Sequence, residues 1–147
     1  MVYSVKVFIE NEAGSNIKNI YNEKTLQFLE SKKVAAKYPY PYGFILNTHS
    51  GDGDNVDCFV VTDHRIKGGE IAEVVPVHLL EQIEDGEIDH KVIGILANSQ
   101  TAIDDTTMDT IRKFIMSVFS DVPGKQMELG SLKDAEAAMQ FINECRD

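Results

Sequence analysis

Gly51-Asp52-Gly53-Asp54-Asn55-Val56-Asp57 places three carboxylates within six residues, at the head of the apolar run VDCFVV at 56–61. Two carboxylates about 5 Å apart repel by roughly 3 kcal/mol at an effective dielectric near 20. A turn in open water tolerates that repulsion, whereas a cluster joined to a buried strand calls for a cation. In an extended chain Asp52 and Asp54 share one face and Asp57 takes the other, so Gly53 must supply the turn that brings them to one point. Oxygen-only ligands select Mg²⁺, Mn²⁺ or Ca²⁺ over Zn²⁺. An EF-hand is excluded. Counted from Asp52, the sixth loop position, where Gly is required, is Asp57, and the twelfth is Asp63 in place of Glu. Spacing alone leaves an Asp-rich hairpin turn as the competing reading.

Two other segments carry chemistry. Glu84-Asp85-Gly86-Glu87-Ile88-Asp89, followed by His90 and Lys91, is a second acidic turn. Two such turns at strand boundaries favour a shared site for several cations, with Lys91 beside Asp89 to hold an anion. Tyr38-Pro39-Tyr40-Pro41-Tyr42-Gly43 reads as a rigid extended connector, because Pro fixes φ and restricts the residue before it. Such a segment can also present phenol hydroxyls to a cleft. His49, His64, His78 and His90 lack paired metal spacing, and the sequence contains no Gly-rich phosphate loop and no GxSxG.

These residues need a scaffold. Residues 2–9, 25–30, 44–48, 56–61, 70–77 and 91–96 are strand-length apolar runs punctuated by Gly, Asn and Asp, and 56–61 is apolar on both faces, as a central strand would be. Met108, Ile111, Phe114, Ile115, Val118 and Phe119 recur at helical spacing and predict a helix over about 105–120, with Asp104 and Asp105 at its start. A second helix is expected over 132–145, with Ser131 and Asp134 as a capping box and Leu132, Ala135, Met139 and Ile142 as its apolar face. Strands followed by helices indicate an α+β fold with a mainly β core, a small barrel or curled sheet carrying helices outside.

The 147 residues suit one domain, 1–147, and 43% hydrophobic with 26% charged residues are globular values. The net charge of −10 argues against a protein that coats nucleic acid through a basic face. Cys58 and Cys145 are too few for a disulfide framework and read as small buried hydrophobes. The start, MVYSVKVFIE, does not resemble a signal peptide, and no apolar run approaches the ~18 residues of a membrane span. A soluble, cytoplasmic protein with neither nucleic-acid nor membrane partners is expected.

In order and spacing, Tyr38-Pro-x-x-Tyr42-Gly43, then Asp52-Gly-Asp54-x-Val-Asp57, then the Glu84/Asp89/Lys91 turn resemble the family I soluble inorganic pyrophosphatases over roughly residues 5–96. Ala135-Glu136-Ala137-Ala138 is similar to the family's terminal helix. The resemblance implies an OB-like five-stranded β-barrel with flanking C-terminal helices. It also implies hydrolysis of pyrophosphate to two phosphates with Mg²⁺, or Mn²⁺ in its place. By the same resemblance Asp52, Asp57 and Asp89 are ligands of a first metal, with Asp57 bridging to a second. Glu84 stands where the family has Asp and would help hold a substrate-associated metal, and Glu10 matches the acid of the first strand. Asp54 would accept the proton of the attacking water. Lys18, Lys91 and Tyr42 would contact phosphate, with the Tyr38 phenol behind them. Bacterial relatives imply a homo-oligomer.

Three departures from the family pattern stand out, two of them at cationic phosphate contacts. The family's Arg falls near Glu30 or Ser31, with only Lys32 and Lys33 close by; Ile20 or Tyr21 replaces the acid after Lys18; and a Tyr-Lys pair becomes Phe119-Ser120. The alternatives are a non-catalytic member that binds metal and phosphate, or a phosphohydrolase acting on another small phosphate anhydride.

Overall fold

The computed structural model describes residues 3–147, so Met1 and Val2, the latter the first position of the strand expected over 2–9, lie outside the described residues. In chain order the elements are β1 (Val5–Asn11), β2 (Ile17–Tyr21), β3 (Phe28–Lys33), β4 (Tyr42–Ile45), β5 (Asp57–Val60), β6 (Ile71–Glu84), β7 (Glu87–Ile88), β8 (Lys91–Leu96), α1 (Asp105–Ser117), β9 (Met127–Lys133) and α2 (Ala135–Glu144). β1 pairs with β4, β4 with β5, β5 with β8 and β8 with β6, and β6 returns to β1. That circuit closes a five-stranded barrel, the arrangement that leaves no open sheet edge. Only the β5–β8 pair is parallel among these five.

The two-residue period of the strands sorts their side chains into two apolar layers. Val7 and Ile9 of β1, Ile45 of β4, Cys58 and Val60 of β5, Val74 of β6 and Val92 of β8 fill the barrel, joined by Ala138 and Ile142 of α2. Phe59 of β5, Leu80 of β6 and Ile93 of β8 point outward and are covered by Met108, Ile111, Phe114 and Ile115 of α1. Phe59, Ile93 and Ile111 have no exposed surface, and each such side chain contributes about 1.5–3 kcal/mol by leaving water. Because Asp57 shares parity with Phe59, it lies on the outer, α1 side of the wall.

At Gly43 the backbones of β1 and β4 leave no room for a side chain. A Cβ there would stand 1.8 Å from the Phe8 carbonyl oxygen, so β1 and β4 can pair only if this position carries no side chain. That accounts for Gly after Tyr42 in the aromatic segment.

Several expected boundaries move. The strand expected over 25–30 is β3, shifted to Phe28–Lys33. Asn22 Oδ1 accepts hydrogen bonds from the Lys24 and Thr25 amides and Leu26 has φ 63°, which makes 22–27 a turn. The run expected over 70–77 is only the first half of β6, which pairs in succession with β1, β8 and β9. β6 then turns into β7 through Asp85 and Gly86, whose φ values of 50° and 84° fit a two-residue hairpin turn of the Asp-Gly type.

The second helix starts at Ala135. Ser131 and Leu132 belong to β9, and the cap is Asp134, whose Oδ1 accepts from the Ala137 amide at 3.0 Å. The expected Ser131–Asp134 capping box is therefore corrected to a single Asp cap, because pairing with β6 holds Ser131 extended. α1 ends at Ser117, so Phe119 sits in the connection beyond it.

Candidate active site

Thr48 sets the base of the acidic loop. Its hydroxyl donates to the Ile45 carbonyl at 2.7 Å and accepts from the Val56 amide at 3.0 Å, while the Asn55 amide group donates to the same carbonyl. Ser50 donates to Asp52 Oδ1 at 2.7 Å, and the Asp54 amide donates to that oxygen at 3.0 Å. Gly53 has φ 87°, the left-handed turn that L side chains resist. The result is a closed loop that aims Asp52, Asp54 and Asp57 into one cleft despite their opposite parity.

Asp57 begins β5 and pairs in register with Lys91 at the start of β8. Lys91 Nζ donates to Asp57 Oδ2 at 2.6 Å and to Asp89 Oδ2 at 2.9 Å. Lys91 and Asp89 are buried, and Asp57 is nearly so. Burial would lower the Lys91 pKa, but Asp57 and Asp89 outweigh it and hold the ammonium charged well above its ordinary range. Burial and the Asp57 charge push Asp89 up against the pull of Lys91.

The cleft has a volume of about 200 Å³ and lies between the outer barrel wall, the β2–β3 hairpin and α1. All ten residues singled out above line it: Glu10, Lys18, Tyr38, Tyr42, Asp52, Asp54, Asp57, Glu84, Asp89 and Lys91. Tyr38 is 2% exposed and packed on Phe114 at 4.6 Å between ring centroids. Tyr42 places its ring 5.6 Å from Lys91 Nζ. Burial, followed by neighbouring acidic groups, raises both phenol pKa values. Lys18 lies 4.8 Å from the Phe119 ring centroid. Lys32 and Lys33 do not line the cleft, and Lys32 is an exposed partner of Glu30. None of the four His residues lines it either.

Glu23 lines the same cleft although it belongs to none of the acidic turns in the sequence. Its Oε1 accepts from the Asn55 amide at 2.9 Å, which ties the β2–β3 turn to the acidic loop. Burial, together with Asp54, Asp57 and Asp52, pushes its pKa up to about 7. Nothing in the sequence around Glu23 marks it; only the fold of the hairpin over the barrel brings it in.

Seven carboxylates thus face two lysines, Lys18 and Lys91. Glu10 makes no ion pair among the described residues, and burial followed by Asp57 and Glu23 pushes its pKa up to about 9. Burial, Asp52 and Asp57 raise that of Asp54. A partly buried carboxylate without a counter-charge, ringed by others, is the environment a hard divalent cation stabilises. Among the described residues no three potential ligands converge as tightly as a bound ion requires. Lys91 occupies the gap between Asp57 and Asp89. The donor set fits divalent cations, with Lys91 now serving as the counter-charge.

The sequence model of the inorganic pyrophosphatase family matches residues 7–147. An inorganic pyrophosphatase of Halalkalibacterium halodurans is 30% identical over 96% of this chain and 92% of its own, and one of Synechocystis sp. is 30% identical over 96% and 89%. Among solved structures, an inorganic phosphatase from Anaplasma phagocytophilum superimposes with a TM-score of 0.88 at 27% identity, covering 97% of this chain and 91% of that one. An inorganic pyrophosphatase from Thermus thermophilus gives 0.85 at 26% identity, with 97% and 88% covered. The likeness extends past residue 96 to the end of the chain.

Proposed function

This chain belongs to the inorganic pyrophosphatase family and is an inorganic diphosphatase, and on that premise we propose how its cleft divides the work. The reaction adds water across the P–O–P bridge and releases two phosphates. The observation that carries the proposal is the convergence of seven carboxylates from β1, the β2–β3 turn, the acidic loop and the β6–β8 turn on one cleft beside two lysines.

Asp52, Asp57, Asp89, Glu84 and Glu10 are the residues that would hold divalent cations, Mg²⁺ by preference with Mn²⁺ as its substitute. Bound there, such ions would neutralise the charge of pyrophosphate and lower the pKa of water. Asp54 takes the proton of the attacking water. It is the most solvent-reached of the three loop carboxylates, and its raised pKa suits a proton acceptor. Lys18 and Tyr42 meet phosphate oxygens, and Lys91 adds positive charge at the back of the cleft. Tyr38 buttresses Tyr42 at 5.5 Å between ring centroids.

A cytoplasmic homo-oligomer completes the proposal, and light scattering after size exclusion tests the assembly. No helix among the described residues is long and apolar enough to cross a membrane. Phosphate release from pyrophosphate with Mg²⁺, set beside a panel of nucleotides, tests the function. Turnover confined to pyrophosphate is the expected result, and preferential turnover of a nucleotide would reassign the substrate.

A further inference from the structure

Pyrophosphate is a polyanion, yet the cleft that must receive it is lined mainly by carboxylates. Of its two lysines, Lys91 is enclosed and committed at 2.6 and 2.9 Å to Asp57 and Asp89. Neither Ser31 nor Ser120 carries charge, and Lys32, although opposite Lys18 across the β2–β3 pair, is exposed beside Glu30 and does not line the cleft. Lys18 is thus the one lining lysine with no ion pair among the described residues, and a second uncommitted ammonium for the anion must come from outside the lining.

Lys125, in the connection between α1 and β9, answers to that need. Its Nζ lies 4.9 Å from the centroid of the Phe119 ring, the same ring that Lys18 Nζ approaches at 4.8 Å. One aromatic ring, itself part of the cleft lining, thus attracts two ammonium groups. Lys125 Nζ also stands 3.2 Å from Glu84 Oε2 and 3.8 Å from Asp85 Oδ2. These contacts are longer than those of Lys91, and the Lys125 side chain is 26% exposed against 7% for Lys91. It is free to exchange partners where Lys91 is not. A small cavity of about 90 Å³, lined by Lys125, Ser120 and Met116, shares Phe119 and Met127 with the main cleft and leaves room beside the ammonium.

We propose that Lys125 is a substrate-binding residue that forms, with Lys18 and around Phe119, a two-lysine clamp for one phosphate of the substrate. The proposal rests on the pyrophosphatase reading of the cleft. In the substrate-free protein Glu84 parks the Lys125 ammonium. When Glu84 is engaged by a cation, Lys125 is released toward the phosphate.

The test is calorimetric binding of a methylene-bridged diphosphonate, which cannot be hydrolysed, at fixed saturating Mg²⁺, together with the KM for pyrophosphate. Lys125→Ala should weaken diphosphonate binding roughly 10- to 100-fold, as loss of a charge-assisted contact does, and raise KM in step. Lys125→Arg should restore most of the affinity. Lys113→Ala, an exposed lysine of α1, is the control for net charge and should change binding less than about twofold. Equal losses in Lys113→Ala and Lys125→Ala would reduce the effect to net charge and overturn the clamp. So would an unchanged diphosphonate affinity in Lys125→Ala, with or without a gain in Mg²⁺ affinity; with that gain, Lys125 is merely the counter-ion of Glu84. In either case a wild type that still hydrolyses pyrophosphate keeps the functional reading intact. A wild type that neither hydrolyses pyrophosphate nor binds the diphosphonate ends both.

Discussion

Asp54 and Asp57 stand three positions apart at one loop-to-strand junction and meet different surroundings. Asp57 is clamped to Lys91 at 2.6 Å, whereas Asp54 makes no ion pair among the described residues and reaches solvent. Their amide variants should fail differently. Asp54→Asn keeps its size but cannot take a proton, so turnover at saturating Mg²⁺ should fall roughly 10²–10⁴-fold, while metal-induced stabilisation measured by thermal melting largely remains. Asp57→Asn should lose activity and metal stabilisation together. It should also cost about 1–3 kcal/mol in urea unfolding, because Lys91 loses one of two charged partners. Titration gives a second expectation at this scale. Glu10 is pushed up to about 9 and Glu23 to about 7 from an ordinary 4.5. Above pH 4.5 the folded protein then binds more protons than the unfolded chain, so stability falls as pH rises, and the loss is complete only above about 9. Melts in chelator between pH 5 and 9 should show a falling Tm, and Mg²⁺ should raise Tm more at the alkaline end, where ionised carboxylates are available to it. A Tm that climbs with pH in chelator would contradict the burial assigned to Glu10.

Each element is set as much by its neighbour as by its own residues. β5 and β8 show this most directly, because their parallel register places Asp57 opposite Lys91. β1 and β4 approach so closely at Gly43 that a methyl group would overlap the Phe8 carbonyl. Gly43→Ala should therefore cost more than about 3 kcal/mol in urea unfolding, through overpacking that backbone alone would have to relieve. It should also displace Tyr42 from the cleft and lower activity beyond the stability loss. The cap of α2 offers a milder comparison. Asp134→Ala should cost about 1 kcal/mol, the usual penalty for removing a capping side chain. Ser131→Ala should fall within about 0.5 kcal/mol of wild type, since Ser131 lies on β9 and caps nothing. An equal loss in both would restore the capping box.

Across the whole molecule, the acidic balance and the cleft are linked. A net charge of −10 is concentrated partly in seven carboxylates around one cavity, so binding of divalent cations there should stabilise the entire fold. At 100 times its Kd, a ligand exclusive to the folded state adds about 2.7 kcal/mol. For a chain of this size that is roughly 5–10 °C in Tm. No shift at millimolar Mg²⁺ would count against the cation sites.

The sequence by itself determined the chemistry and the wall that bears it. Aspartates at 52, 54 and 57, a Gly between them and an apolar strand after them are local facts, and so is the helical spacing of α1, because turn conformation and amphipathic period depend on adjacent residues. The ten candidate residues came from that pattern and its family resemblance, and all ten line the cleft. What only the tertiary structure decided depends on partners far along the chain. β2 and β9 are short or polar segments that become strands through pairing, and β6 continues past residue 77 because β8 and β9 complete its hydrogen bonds. Glu23 and Lys125 lie in connections with no motif around them. Glu23 reaches the cleft because the β2–β3 hairpin folds against the acidic loop, and Lys125 comes beside it because Phe119, just past α1, lies within reach of two lysines. Charge at such positions acts through distance in space, and separation along the chain does not encode it.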